Sequence, residues 1–459
     1  MITFVIGDLP IHCELTEFIG DWQFTIGKDV VDSPSVCKPG SGMNPLNTDV
    51  LKTVVSLTRM FDTSSSSSSD VVLPFVAYNA DTNSGASWSH IYDEGVILQM
   101  KDPIGGPDRL VFYGHFGYSF LDPSSNSLQP SFRGVAKSFC NVIPRGWAIR
   151  FSPSGQISLH CFTATRVSKL AQPGSQDAPV VPPSSLRVVS PGPLPANYRI
   201  PNWDFPRQSA TESQGACGSC YVLSYAYALE RVAVNRLKQF GITLDSPFMK
   251  LDREAMLSCS VANQGCSGGF YSSLTLDLIH LGAPLSGCMD ADTSALSPSS
   301  LTSRAQECSL KCYADPNKLI FTRGFTELRT HNDIIDYLIN SGPVPVGIYM
   351  ASDHHNSIGG GSNDGKIIEL PAFPLSPGMD KLNHGVVIIG WGTEESDSKK
   401  LFWDIYNPWG GQDTFARITR NPSGGVAERN GIGIKIDTCR GLIGAKIKKA
   451  GKVSPTDCN

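Results

Sequence analysis

The chain has no stretch of 18 or more consecutive apolar residues, so no segment reads as a membrane-spanning helix. It has no marked excess of either charge. Its 38 Lys and Arg stand against 42 Asp and Glu, a formal net charge of -4, which excludes the basic footprint of a nucleic-acid or anionic-membrane binder. It has no N-x-[ST] sequon with x other than Pro. Its cysteines and histidines form no paired C-x-x-C modules and no clusters at zinc spacing, so no metal site is expected. The one C-x-x-C, Cys217 to Cys220, lacks the βαβ surroundings of a thioredoxin-like redox motif. What is present is 459 residues, 41% hydrophobic and 17% charged, enough for two or three packed domains. Gly 44 and Pro 32 favour turns and β-rich structure over a helical bundle. Thirteen cysteines, an odd count, fit one free thiol plus six disulfides and hence an oxidising compartment.

Along the chain, Met1–Gly7 is apolar but too short for a secretory signal and lacks a basic start; it reads as a leader or a truncated signal remnant. Residues 8–165 carry short apolar-aromatic runs separated by turn residues: Asp21–Ile26, Val71–Tyr78, Gly95–Leu98, Arg109–Tyr113 and Gly146–Phe151. That spacing predicts an antiparallel β domain, a barrel or sandwich. Ser64–Ser69 is a polar low-complexity tract, expected as a loop. Residues 166–195, rich in Pro, Ser, Gly and Gln, read as a linker. Residues 196–459 form a second unit. It opens on a helix over Cys220–Phe240, with Val222, Leu223, Ala226, Leu229, Val232, Ala233 and Leu237 at helical spacing. It ends in strand-like segments, Gly385–Gly390 and Leu401–Tyr406. A helical first half and a β second half predict an α+β fold of two lobes with a cleft between them.

The chemistry concentrates in this unit. Cys220 lies where a Gly-rich turn, Gln214-Gly-Ala-Cys-Gly-Ser-Cys220-Tyr221, enters the helix. A helix N-terminus favours thiolate over thiol. A thiolate also needs a proton partner, and His384, in Leu-Asn-His384-Gly-Val-Val, lies at the mouth of a buried strand. Asn407 can orient the imidazole, Trp409 can shield that bond from water, and Gln214 can donate to an oxyanion together with the Cys220 backbone N–H. Taken singly, each has a plainer reading: a buried small hydrophobe or half-disulfide, a structural His, an ordinary Gln. Their order and local signatures change that balance.

Gln214–Tyr221, with His384 and Asn407 far downstream, resembles the active-site pattern of the papain family of cysteine peptidases. The separations are somewhat long, implying insertions such as the Gly/Pro-rich stretch 356–380. Gly265-Cys-Ser-Gly-Gly-Phe270 resembles the family's substrate-backbone strip, in which Gly268 and Gly269 let a peptide lie close. Tyr221 directly after the nucleophile, the N-terminal β domain, and Asp8-Leu-Pro-Ile-His-Cys13 followed by Leu15–Trp22 resemble the dipeptidyl-peptidase-I branch of the family.

This resemblance implies a papain-like catalytic domain, with a helical lobe and a β-barrel-like lobe, preceded by an antiparallel β-barrel exclusion domain. It implies release of dipeptides from free peptide N-termini, with Asp8, exposed after removal of residues 1–7, pairing with the substrate ammonium. Gly268, Gly269 and Trp409 would be further substrate contacts. It implies the disulfides Cys13–Cys140, Cys37–Cys161, Cys217–Cys266, Cys259–Cys308 and Cys288–Cys312, with Cys439 and Cys458 left over as a candidate pair. No cofactor is needed for the chemistry, and chloride is the one ion the resemblance allows, at Phe270 and Tyr271, the alternative being that the family's chloride-binding Tyr is absent with Ser272 in its place. The implied partners are peptides or proteins with a free N-terminus, in a homotetramer working in the lysosome, a related acidic vesicle or outside the cell. The chain departs from the family in three places: the activation segment between the domains is reduced to the linker, Pro408 follows Asn407 where Ser is usual, and the Gly-rich stretch after Trp409 is short. Two alternatives stand beside this reading: a papain-like endopeptidase with an appended β domain, and a catalytically impaired binding protein on the same fold.

Overall fold

The computed structural model describes residues 13, 15–27, 31, 37, 50–61, 75–79, 81, 84–91, 95–103, 108–121, 128–129, 136–152, 154, 156–168, 197–199, 213–244, 249–260, 263–289, 308–350, 367–370, 382–410, 415–423 and 425–452. Asp8, Met1–Gly7, the Ser64–Ser69 tract, Cys458 and most of 169–195 and 356–380 lie outside the described residues. The chain divides into two compact units near residue 181.

In the first unit, eight antiparallel strands close into a barrel. They are β1 (Gly20–Gly27), β2 (Val50–Phe61), β3 (Phe75–Asn79), β4 (Ser84–Ile91), β5 (Gly95–Lys101), β6 (Arg109–His115), β10 (Val142–Phe151) and β11 (Ile157–Ser168). Three short strands, β7 (Gly117–Leu121), β8 (Leu128–Gln129) and β9 (Ala136–Phe139), form a separate small sheet. β1 shows why the barrel forms. Its residues alternate buried and half-buried, placing Trp22, Phe24 and Ile26 inward at the two-residue period of a strand. It pairs with β2 on one side and β11 on the other, and so closes the ring. Inside, Phe24, Phe112 and Phe162 pack with ring centroids 5.2–5.6 Å apart. The described interior is thus a side-chain core, as small eight-stranded barrels allow. β11 runs to Ser168, with Arg166 and Ser168 still paired to Trp22 and Asp21 of β1. Cys13–Cys140 and Cys37–Cys161 are both formed, across separations of 127 and 124 residues. Each contributes on the order of 5 kcal/mol if loop-closure entropy dominates.

The second unit is α+β. Its longer α-helices are α1 (Cys220–Gln239), α2 (Arg253–Cys259), α3 (Tyr271–His280), α4 (His331–Asn340) and α5 (Gly441–Lys449). The expected 3.6-residue pattern is α1, a 20-residue helix whose apolar face enters a core with Leu274, Leu278, Ile389 and Tyr406. The β half is a sheet of β15 (Thr322–Leu328), β21 (Gly431–Ile436), β16 (Val344–Ile348), β18 (His384–Glu394), β19 (Asp397–Tyr406), β20 (Phe415–Thr419) and β17 (Ile367–Ile368), in that order. A short β12 (Tyr198–Arg199) pairs with β18, and Arg199 forks onto Asp404 of β19 at 2.8 and 2.9 Å. The remaining described strands, β13 (Ala283–Pro284) and β14 (Leu319–Ile320), pair with each other. Cys217–Cys266, Cys259–Cys308 and Cys288–Cys312 are formed, and Cys439 is also disulfide-bonded. No helix among the described residues is long and apolar enough to cross a membrane.

Candidate active site

Cys220 is the first residue of α1, and it is the free cysteine among the described residues. The turn before it is fixed from two sides. Cys217 is bonded to Cys266, and Gly218 N–H donates to the Cys266 carbonyl at 2.8 Å. A Cβ at 218 would stand 2.6 Å from that carbonyl oxygen, so the two segments approach this closely only with glycine there. Tyr221, buried behind the nucleophile, donates its hydroxyl to the Gly265 carbonyl at 3.3 Å. The Gly-rich turn and the strip 265–270 are therefore one tied assembly.

His384 opens β18 and is 7% exposed. Its Nε2 donates to Asn407 Oδ1 at 2.7 Å, and Asn407 is fully buried. An acceptor on Nε2 fixes the ring and leaves Nδ1 as the nitrogen that exchanges a proton. Trp409 lies over the imidazole with centroids 4.7 Å apart, covering the bond from solvent. Asn383, which sequence reasoning passed over, anchors the entry to His384 with a two-way bond to the Met350 backbone at 2.7 and 2.8 Å. Its neighbourhood in Leu-Asn-His-Gly was the available signal.

Burial pushes the Cys220 thiol up to about 11, opposed by hydrogen bonds from the backbone N–H groups of Gly385, Tyr221 and Cys220 itself. The Gly385 contact places the sulfur against the residue next to His384. A thiol raised this far stays protonated by itself near neutrality. Ionising it requires a cation alongside, and a protonated His384 is the group positioned to be one.

Gln214 is buried, and its Nε2 donates to the Cys217 carbonyl at 3.1 Å. A primary amide has a second N–H, which remains for a developing oxyanion. The Gln214 backbone N–H donates to the Pro408 carbonyl at 2.9 Å. Pro408 lacks an N–H but keeps its acceptor, so this departure from the family pattern leaves Asn407 seated and links its segment to the Gln214 turn.

On the strip, Gly268 has φ +117° and open space where a Cβ would stand, whereas a Cβ on Gly269 would strike Asn263 Oδ1 at 2.4 Å. Gly268 leaves room for an approaching backbone, and Gly269 is required by Asn263. The Phe270 N–H donates to Asn263 at 2.7 Å, and the Tyr271 hydroxyl donates to the Val386 carbonyl at 3.3 Å.

A family model described as "Papain family cysteine protease" matches residues 202–437, just over half of the chain. Cathepsin S of Rattus norvegicus is 29% identical over 218 residues, covering 45% of this chain, which spans 56% of the rat protein. Cathepsin C of Schistosoma mansoni is 22% identical over 468 aligned positions, covering 91% of this chain and 93% of the schistosome protein. Among solved structures, digestive procathepsin L 3 of Tenebrio molitor larval midgut aligns over 54% of this chain and 71% of its own, at 21% identity and a TM-score of 0.37. Resting on the family match and on the Cys220, His384, Asn407 and Gln214 constellation, the conclusion is that this chain belongs to the papain family of cysteine proteases.

Proposed function

We propose that the chain is a cysteine exopeptidase that removes dipeptides from free peptide N-termini. The observation that carries this reading is end-to-end similarity to a cathepsin C, barrel unit included, where the cathepsin S alignment covers 45% of the chain. Cys220 attacks the scissile carbonyl and forms a thioester, and His384 protonates the leaving amine and then activates water for deacylation. Gln214 and the Cys220 N–H stabilise the oxyanion. Asp8, freed as an N-terminal residue by cleavage before it, pairs with the substrate ammonium two residues from the scissile bond. A carboxylate there selects substrates that end at that point.

The same reading places the protein in the lysosome, a related acidic vesicle or outside the cell, in agreement with its five described disulfides. It also carries the expectation of a homotetramer. The test compares hydrolysis of a dipeptidyl reporter with a free amino group and the same reporter N-acetylated. The free form is expected to react at least about a hundredfold faster, a difference that Asp8→Ala removes. Equal rates on the two reporters contradict exopeptidase action and favour the endopeptidase reading, for which partial similarity to cathepsin S and to a viral cathepsin is the supporting observation.

A further inference from the structure

Two buried hydroxyls meet the backbone just after His384. Ser224, one helical turn beyond Cys220 on α1 and fully buried, donates to the Gly385 carbonyl at 2.8 Å. Tyr271, the first residue of α3, donates to the next carbonyl, that of Val386, at 3.3 Å. The Tyr271 hydroxyl also interacts with that of Ser224 and lies within electrostatic reach of Cys220. Burial keeps the phenol neutral, so it remains a donor throughout any working pH range. The ring is held from behind: Thr275 donates to the Tyr271 carbonyl at 2.8 Å, and Tyr225 packs 6.2 Å away, centroid to centroid.

Gly385 is what this arrangement requires. A Cβ there would stand 2.4 Å from the Tyr271 hydroxyl oxygen and 3.1 Å from its ring carbon, so Ala at 385 and Tyr at 271 compete for one space. Gly385 also donates its N–H to the Cys220 sulfur. Any shift of this residue therefore moves the imidazole-bearing backbone and withdraws a hydrogen bond from the nucleophile.

We infer that Ser224 and Tyr271 are positioning residues, a pair of hydroxyls that clamps the His384–Val386 backbone against the helix carrying Cys220, with glycine at 385 as the matching recess. The inference rests on Cys220 being the nucleophile, but not on whether the enzyme is an exo- or endopeptidase. Neither residue has a place in the active-site signature. Ser224 stands among apolar neighbours on the helix, and Tyr271 is singled out by the sequence only as a candidate chloride contact, not for a role toward His384.

The test is a double-mutant cycle on Gly385→Ala and Tyr271→Phe, with Ser224→Ala beside it, in the full chain. The readouts are kcat and KM on a peptide reporter, the pH profile of Cys220 alkylation, and thermal melting as the control for folding. Gly385→Ala is expected to lower kcat about a hundredfold with little change in KM, the scale of a misplacement near 1 Å. Tyr271→Phe and Ser224→Ala each lower kcat by roughly tenfold and shift the alkylation profile to higher pH. The double variant is expected to be more active than Gly385→Ala alone, because removing the phenol oxygen vacates the space a Cβ needs. Multiplicative losses in the double variant overturn the inference. So do single variants at 224 and 271 whose alkylation profile and kcat match wild type. A wild-type chain in which a thiol-directed probe does not label Cys220 refutes the nucleophile itself, and the clamp with it; a blocked reporter cleaved as fast as a free one leaves the clamp standing and removes only the dipeptidyl reading.

Discussion

Inside the barrel unit the fully buried bulk is aromatic, with Trp22, Phe24, Trp88, Phe112 and Phe162; Thr53, Asn79, Ser89, Asp102 and His160 are its buried polar groups among the described residues. Inside the peptidase unit an equally apolar core sits beside buried Gln214, Ser224, Glu230, Arg253, Asp277, His384 and Asn407. A polar group taken from water without a partner costs roughly 2–7 kcal/mol, and a charge costs more. The barrel carries fewer such groups, offsets them with bonds such as Asn79 to Thr53 at 3.1 Å and Arg150 to Asp102 at 3.3 Å, and adds two disulfides to its aromatic packing. The peptidase unit accepts more of that cost and offsets it with bonds such as Glu230 to the Leu251 N–H at 2.7 Å and Ser260 to Asp277 at 2.6 Å. Buried polarity is concentrated where protons and charge must be handled, and the site is built from the same type of bond that stabilises its surroundings.

The largest expected effect that sharpens this contrast is at the nucleophile. Cys220→Ala should lower peptide hydrolysis by about 10⁴-fold or more, with the melting behaviour of both units unchanged. Loss of activity accompanied by loss of structure would mean that Cys220 is a packing residue. Next in size is Phe112→Ala in the barrel. It should destabilise that unit by about 3–5 kcal/mol, read as a lower denaturant midpoint, while Cys220 is alkylated at the wild-type rate. A slowed alkylation would break the division of labour between the units. Smaller again is Asn407→Ala, expected to reduce kcat by roughly a hundredfold through a mis-set imidazole while Cys220 can still be labelled. A wild-type kcat in that variant would show that the 2.7 Å bond from His384 does not orient the ring.

Part of this was legible in the sequence because it is local or carried by residue identity. The 3.6-residue pattern from Val222 to Leu237 gives α1, the apolar-aromatic run Asp21–Ile26 gives β1, and His384 and Asn407, singled out by their local signatures, are hydrogen-bonded to each other. What escaped depends on contacts between segments distant in sequence. Nothing in the peptide Gly268-Gly269 tells that one glycine faces open space and the other an Asn263 side chain. Pro408 reads as a disturbance until its carbonyl is found accepting from Gln214. Closure of the barrel rests on β1 meeting both β2 and β11, a long-range register that alternation alone does not encode.

The central claim is that Cys220 and His384 ionise as a pair. The direct measurement is the rate of Cys220 alkylation by iodoacetamide against pH, with the labelled peptide identified by mass, in wild type and in His384→Ala. Burial, partly offset by three backbone hydrogen bonds, pushes this thiol up to about 11, and a thiolate is favoured where a neighbouring cation repays its desolvation. Wild type is therefore predicted to be labelled rapidly at and below neutral pH. His384→Ala should be labelled slowly at neutral pH, with its rate rising as pH climbs toward about 11. Superimposable profiles for the two proteins would contradict the account.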